Sequence, residues 1–183
     1  MSSASLARTV KSNRGFTLLD LLFVIAIMGT IASMAIPGLM RARNQAGSAS
    51  AIASMRVINS AQLSYAITCG SGFYAPDLMT LGTAPVGSIA AFVSPDLGAA
   101  NSVIKSDYLI QMTGTAVAGS PPSCNGIGAG GGAAGYAATA DPQDASVTRF
   151  FGTNASGTVY EANVSLVGSM PEAGVPAGGA PIQ

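Results

Sequence analysis

The stretch FTLLDLLFVIAIMGTIASMAI, Phe16 to Ile36, decides how this chain is organised. It is 21 residues long and carries a single charge, on Asp20. As an α-helix it would be about 31 Å long, which matches the roughly 30 Å hydrocarbon core of a bilayer. We therefore predict a transmembrane helix over residues 16–36.

A cleaved secretory signal peptide is the competing interpretation of this run. The apolar region of such a peptide usually spans about 7–15 residues and ends at a small-x-small site. The run here is longer, although Ala35 would offer a cleavage position near its end. Three basic residues precede the run and two follow it closely, so charge favours a cytoplasmic N-terminus only slightly.

Asp20 is the anomaly of this span, because an aspartate at a bilayer centre costs about 2.5–3.5 kcal/mol on insertion scales. Asp20 lies only one turn from Phe16, so one interpretation is an interfacial acid that faces water. The other is that Asp20 gains a cationic partner when the span leaves lipid. A cut between Gly15 and Phe16 would create that partner, the new α-amino group.

The composition excludes several classes of function. Charged residues make up 9% of the chain, against about 25% in ordinary soluble proteins. The absence of histidine removes Ser-His-Asp and Cys-His catalysis and every His-based metal site. Acidic and basic residues cancel, so no global field favours nucleic acid. We predict no catalytic residue, cofactor or metal; Asp141, Asp144 and Glu161 are interpreted as solvated acids rather than calcium ligands.

Beyond the span, the pattern becomes amphipathic. Apolar residues recur every three or four positions and predict one buried face of a helix that ends near Thr68, before Gly70. Pro37 should kink or loosen this helix, and Gly29 adds a weak point upstream. The predicted buried face comprises Ala49, Ile52, Met55, Ile58, Ala61 and Tyr65, whereas Ser48 and Gln62 are among the predicted polar positions.

The rest of the chain resembles a small antiparallel β domain. Residues 71–101 are expected to form a loop, with a short helical turn in FYAPDLMTLG. Closely spaced strand signals joined by tight turns predict a meander of three or four strands. They lie at residues 107–114, 135–141, 146–154 and 157–167. The glycine-rich segment 125–135 is interpreted as a connector, and residues 170–183 as a flexible tail.

Two further features concern exported proteins. Cys69 and Cys124 form no CxxC pair, and in an exported domain we expect them to be bridged; two buried thiols are the alternative. Asn154-Ala-Ser156 and Asn163-Val-Ser165 both match the N-glycosylation sequence.

The N-terminal segment RGFTLLDLLFVIAIMGTIASMAIPGLMRAR closely resembles the class III signal sequences of type IV pilins and of the pseudopilins of type II secretion. The ordered match covers about residues 8–65. Gly15 fits the end of the leader, and Gly29 and Pro37 fit the helix-loosening positions of the family. Asp20 departs from the family pattern, where the acid is normally Glu.

This resemblance implies a processing reaction. A prepilin peptidase would cleave after Gly15 and methylate the α-nitrogen of Phe16, and Asp20 would pair with the Phe16 amine of an adjacent subunit. It also implies a pilin-like α+β fold, with a long kinked helix packed against an antiparallel sheet. The expected segments are a leader (1–15), an assembly half of the helix (16–36), an amphipathic half (37–69), a head (70–169) and the tail.

The implied function is that of a non-enzymatic filament subunit. It would be anchored in the bacterial inner membrane and then assembled into an extracellular pilus for adhesion, motility or DNA uptake. A periplasmic pseudopilus of type II secretion is the first alternative. The implied partners are the peptidase and methyltransferase, other pilin subunits, the inner-membrane assembly machinery and lipid. The alternative from another class is a secreted or anchored surface-binding module.

Overall fold

The computed structural model describes residues 15–182 and shows an α+β protein. The chain divides into two units between Ala42 and Arg43. The long helix α1, Leu18–Thr68, starts in the first unit and is also the first element of the second. Its bounds agree closely with the predicted helix over residues 16–68.

In the first unit, every described residue is exposed. The most apolar 18-residue window of α1 has a mean hydropathy of 2.2, and none of that window is buried. By length and composition, α1 can cross a membrane. Pro37 lies inside α1, and helix is assigned on both sides of it and through Gly29. The kink at these positions stays a prediction.

The second half of α1 presents a buried face to the rest of the second unit. Met55, Ile58, Ala61 and Tyr65 are buried as predicted. Ile52 is only half-buried and Ala49 is exposed, so the predicted face is wrong at its first positions. The small residues Gly47, Ser48, Ala51 and Ser54 take up that part of the buried face instead.

Gln62 was predicted to be a polar surface position, and it is completely buried. Its carboxamide nitrogen donates to the Ala75 carbonyl at 2.8 Å, and its oxygen accepts from the Ala75 amide at 2.9 Å. One side chain therefore pairs with both backbone groups of a buried loop residue. Burial of an amide is tolerable because its hydrogen bonds are satisfied.

The C-terminal end of α1 is tightly closed. The Gly70 and Gly72 amides donate to the carbonyls of Tyr65 and Ala66, both at 2.8 Å. Gly70 permits a close approach, since a Cβ there would lie 2.1 Å from the Phe73 carbonyl oxygen. The helix therefore ends where the sequence predicts, and a larger residue at position 70 would clash with the backbone of Phe73.

The loop that follows carries two short helices. They are α2, Leu78–Gly82, and α3, Pro95–Gly98. The Asp77 side chain caps α2 by accepting from the Thr80 amide at 2.8 Å. This confirms the helical turn predicted in FYAPDLMTLG, whereas α3 was not predicted.

The sheet has six antiparallel strands in sequential order, not three or four. They are β1 Ser102–Lys105, β2 Tyr108–Thr113, β3 Ala137–Pro142, β4 Phe150–Asn154, β5 Val159–Ala162 and β6 Ala180–Pro181. The four predicted strands correspond to β2–β5, each shorter than expected. The missed strands are the two edge strands, of four residues and two residues. Strands this short carry little periodicity for a pattern to reveal.

The sheet separates two apolar clusters. Tyr108, Ile110 and Met112 alternate along β2 and belong to the larger cluster, which includes Met55 and Ile58 of α1. The smaller cluster contains Ala137, Tyr160, Ala162, Leu166 and Met170. The core of the head is therefore built between the sheet and the second half of α1.

The segment 170–182 is packed on the head, where a flexible tail was predicted. Met170 is buried, and β6 pairs with β5 through Glu161 and Ala180. The Asn154 carboxamide donates to the carbonyls of Pro171 and Gly174 at 3.0 and 2.7 Å. The Pro- and Gly-rich composition gives no sign of this order, because the hydrogen bonds that hold the segment are made to its backbone carbonyls and do not depend on its side chains.

The predicted disulfide is present. Cys69 and Cys124 are bonded, with their Cα atoms 4.8 Å apart and a sequence separation of 55 residues. The bridge joins the end of α1 to the segment before the glycine-rich connector. The Cys124 amide also donates to the Cys69 carbonyl at 3.2 Å.

We predict that the disulfide contributes about 4 kcal/mol to the free energy of unfolding, the chain-entropy value for a loop of this length. Urea denaturation of the full chain in a mild detergent should show this loss in the Cys69→Ser/Cys124→Ser double variant. Reductant should lower the unfolding midpoint of the natural chain and leave that of the double variant unchanged. An equal midpoint for the oxidised natural chain and the double variant would contradict the prediction.

We also predict that Gln62→Met lowers the free energy of unfolding by about 2–4 kcal/mol, because it strands the buried amide and carbonyl of Ala75. Gln45→Met changes an exposed glutamine of the same helix and should shift stability by less than about 0.5 kcal/mol. The two variants are compared by the same denaturation experiment. Equal effects at both positions would show that the Gln62 pairing adds no stability.

Candidate functional site

The candidate site lies at the start of the apolar helix. Gly15, Phe16 and Thr17 precede the first helical residue, Leu18. Phe16 is 87% exposed, and the segment is not held in regular structure. The bond between Gly15 and Phe16 is therefore open to another protein. Residues 1–13, most of the predicted leader, lie outside the described chain, and so does Arg14.

Thr17 and Asp20 form a reciprocal cap on α1. The Asp20 amide donates to the Thr17 hydroxyl oxygen at 3.2 Å, and the Thr17 amide donates to the Asp20 carboxylate at 3.2 Å. The Thr17 hydroxyl donates to the same carboxylate oxygen at 2.7 Å. This is the capping-box arrangement, with threonine at the N-cap and the acid three residues later.

The capping box gives Asp20 a local role that was not predicted from the sequence. The signal was present, since Thr17-x-x-Asp20 directly precedes an apolar run. The shorter aspartate side chain still reaches the Thr17 amide. Asp20 therefore stabilises the start of the helix and also offers a negative charge near its positive dipole end.

The helix surface beyond the cap is apolar on all sides. Large exposed side chains include Phe23, Ile25, Met28 and Ile31. A helix that is hydrophobic all round belongs in lipid or against other helices. Small residues that let helices approach closely lie among these side chains: Ala26, Gly29, Thr30, Ala32, Ser33 and Ala35.

The head meets the second half of α1 through a turn at Ser106 and Asp107. Both residues have positive φ, 50° and 64°, in the turn between β1 and β2. Asp107 accepts hydrogen bonds from the Arg43 guanidinium at 2.9 and 3.1 Å. The Ser50 hydroxyl donates to the Ser106 hydroxyl at 2.9 Å. These contacts hold the β1–β2 turn against residues 43–50 of α1.

The three acids considered for calcium are each engaged separately. Glu161 is bonded to Arg149 at 2.5 and 3.0 Å, and this hydrogen bonding lowers the pKa of its carboxyl. Asp141 accepts from the Ser165 hydroxyl, and Asp144 accepts from the Ser146 amide at 2.8 Å. Within residues 15–182, no group of three metal-ligating side chains comes together.

Comparisons with protein-family models, with curated proteins and with solved structures find no match to this chain.

We predict that Thr17→Val destabilises the start of α1 by about 1 kcal/mol, the usual value of an N-cap side chain. Amide hydrogen exchange of the full chain in micelles should then be about fivefold faster at Asp20 and Leu21, whose amides donate to the Thr17 hydroxyl and carbonyl oxygens. Thr30→Val is the matched control, because its hydroxyl donates to the Ile27 carbonyl inside the helix and caps nothing. Unchanged exchange in the Thr17 variant would contradict a capping role.

Proposed function

We propose that this protein is a subunit of a type IV filament, held in the membrane by the first half of α1 before assembly. The observation that carries the proposal is the exposed apolar helix. A single acid, Asp20, forms part of the cap at its start, and the head that follows has its own core. The resemblance of residues 8–65 to prepilin N-termini supports it independently of the structure.

The proposed mechanism uses one surface in two environments. In the membrane, the apolar side chains of the helix contact lipid tails. In the filament, the same side chains pack against the helices of neighbouring subunits, where small residues permit close approach. The head, whose core does not depend on the apolar half of α1, forms the outer coat.

Processing supplies the cationic partner that Asp20 lacks within its own span. A cut between Gly15 and Phe16 leaves a protonated α-amine, which N-methylation keeps cationic. That amine lies one residue before the Thr17 N-cap, where the helix dipole disfavours positive charge. A carboxylate from a neighbouring subunit offsets this cost, and in an apolar filament core each ion needs the other.

Asp20 would then exchange partners during assembly. In the single chain, its carboxylate is bonded to Thr17 at an exposed position. Such a cap is worth about 1 kcal/mol, so it is a modest barrier to recruitment by an amine. The exchange gives the acid a partner in both states and avoids an unpaired charge in either.

An extended pilus is favoured over a secretion pseudopilus. Some secretion pseudopilins bind calcium with clustered acids in a loop of the head. In the described part of this head, the acids are dispersed among separate hydrogen bonds. The two filament types share the mechanism proposed for Asp20.

The proposal predicts that Asp20→Asn abolishes or strongly reduces filament yield while leaving membrane insertion intact. Asparagine can retain a cap but carries no charge, so the variant separates capping from ion pairing. Asp20→Glu should assemble, because it restores the charge. Filaments are measured by electron microscopy and by sheared-fraction yield after expression with an assembly system.

Asp144→Asn is the matched control, since it removes the charge of an exposed acid in the head. It should assemble normally. Normal filament yield in Asp20→Asn would refute the proposed pairing. Correct insertion of the natural chain without any filament would favour a membrane-anchored surface-binding module instead.

A further inference from the structure

We propose that Asn163 is an N-glycosylation site of the exported head and that Asn154 is not one. The two asparagines stand in equivalent sequences, Asn154-Ala-Ser156 and Asn163-Val-Ser165. The structure separates them, because one carboxamide is part of the fold and the other is displayed on the surface.

Asn154 is the last residue of β4, and its side chain is completely buried. Its nitrogen donates to two carbonyls of the segment 170–182, and its oxygen accepts from the Ser156 amide at 3.1 Å. A glycan on this nitrogen would remove at least one of the two donated hydrogen bonds. It would also have no space in the buried surroundings, so the folded head protects Asn154.

Asn163 has the opposite environment. It directly follows β5 and lies exposed in a bend between that strand and the turn at Val167. The side-chain hydrogen bonds of this bend are made by Ser165, whose hydroxyl donates to Asp141 and accepts from the Val167 amide. Among the described residues, none is made by the Asn163 carboxamide, so its nitrogen is free to react.

The disulfide points to the compartment in which such a reaction would occur. Bridges such as Cys69–Cys124 form and persist in exported proteins. Attachment of glycans to Asn-x-Ser sequences is likewise a feature of the surfaces of exported proteins. The inference needs the head to be exported, but it does not need the chain to form filaments.

The donor is a glycan linked through a pyrophosphate to a polyprenyl lipid. The Asn163 Nδ2 atom attacks the anomeric carbon of the first sugar, and a C–N bond forms. The bond from that carbon to the pyrophosphate oxygen breaks, and its electron pair leaves with the lipid pyrophosphate. Nδ2 gives up one of its two protons to a base of the transferase, so the linked amide nitrogen keeps one hydrogen.

The test uses the purified, folded full chain in detergent. It is incubated with an oligosaccharyltransferase and a polyprenyl-pyrophosphate-linked oligosaccharide of known mass, and the products are analysed by intact-mass and peptide mass spectrometry. We expect one glycan per chain, located at Asn163. Asn163→Gln and Ser165→Ala should lose it, whereas Ser165→Thr should keep it and Ser156→Ala should not change it.

A positive control can be built into the same chain. Val86 is 90% exposed, and Val86→Asn creates an Asn-Gly-Ser sequence over residues 86–88. Glycosylation of this variant in an Asn163→Gln background shows that the enzyme and donor accept the folded head. If that variant is modified while the natural chain is not, the proposal is overturned. Modification of the natural chain at Asn154 would overturn it as well.

Discussion

The structure depends on one constraint: the apolar half of α1 exposes its side chains, and such surface is unfavourable in water. None of the most apolar window of this helix is buried, although its side chains include phenylalanine, leucine, isoleucine and methionine. Removal of such surface from water is the largest favourable term in folding and in association. Lipid or neighbouring helices can supply that cover, and the proposed function uses both in turn.

The head has a core of its own. Its core uses only the second half of α1, where small residues and Met55, Ile58 and Tyr65 face the sheet. Gln62 and the disulfide fix the end of the helix to the segments that follow it. The turn at Ser106 and Asp107 secures the helix at its entry to the head. These contacts hold the second half of α1 against the sheet and the segments that follow it.

Long periodic features were predictable from the sequence. Short strands, and a buried polar side chain whose hydrogen bonds are satisfied, were not. The apolar run and the amphipathic stripe specify α1 nearly to the residue, because many positions repeat the same signal. β1 and β6 were missed because four and two residues give too little pattern. Gln62 was misassigned because a buried amide is identified by its partner, the backbone of Ala75, which is 13 residues away.

The candidate site shows the same division between local and distant information. The Thr17 and Asp20 pairing is local, and its spacing was readable from the sequence. The contrast between Asn154 and Asn163 was not, because their sequences are alike and only the packing of residues 170–182 distinguishes them. Sequence motifs therefore identified the reactive groups, while burial and hydrogen bonding decided which of them are accessible.

In the proposed function, the apolar helix is an assembly surface, and processing leaves a cationic α-amine on its first residue. Mass spectrometry of the N-terminal peptide of the protein produced in cells with the assembly system tests it most directly. We expect a mature chain that begins at Phe16 with an N-methylated α-nitrogen. A mature chain that begins near Ile36, or one that retains the leader intact, would contradict it.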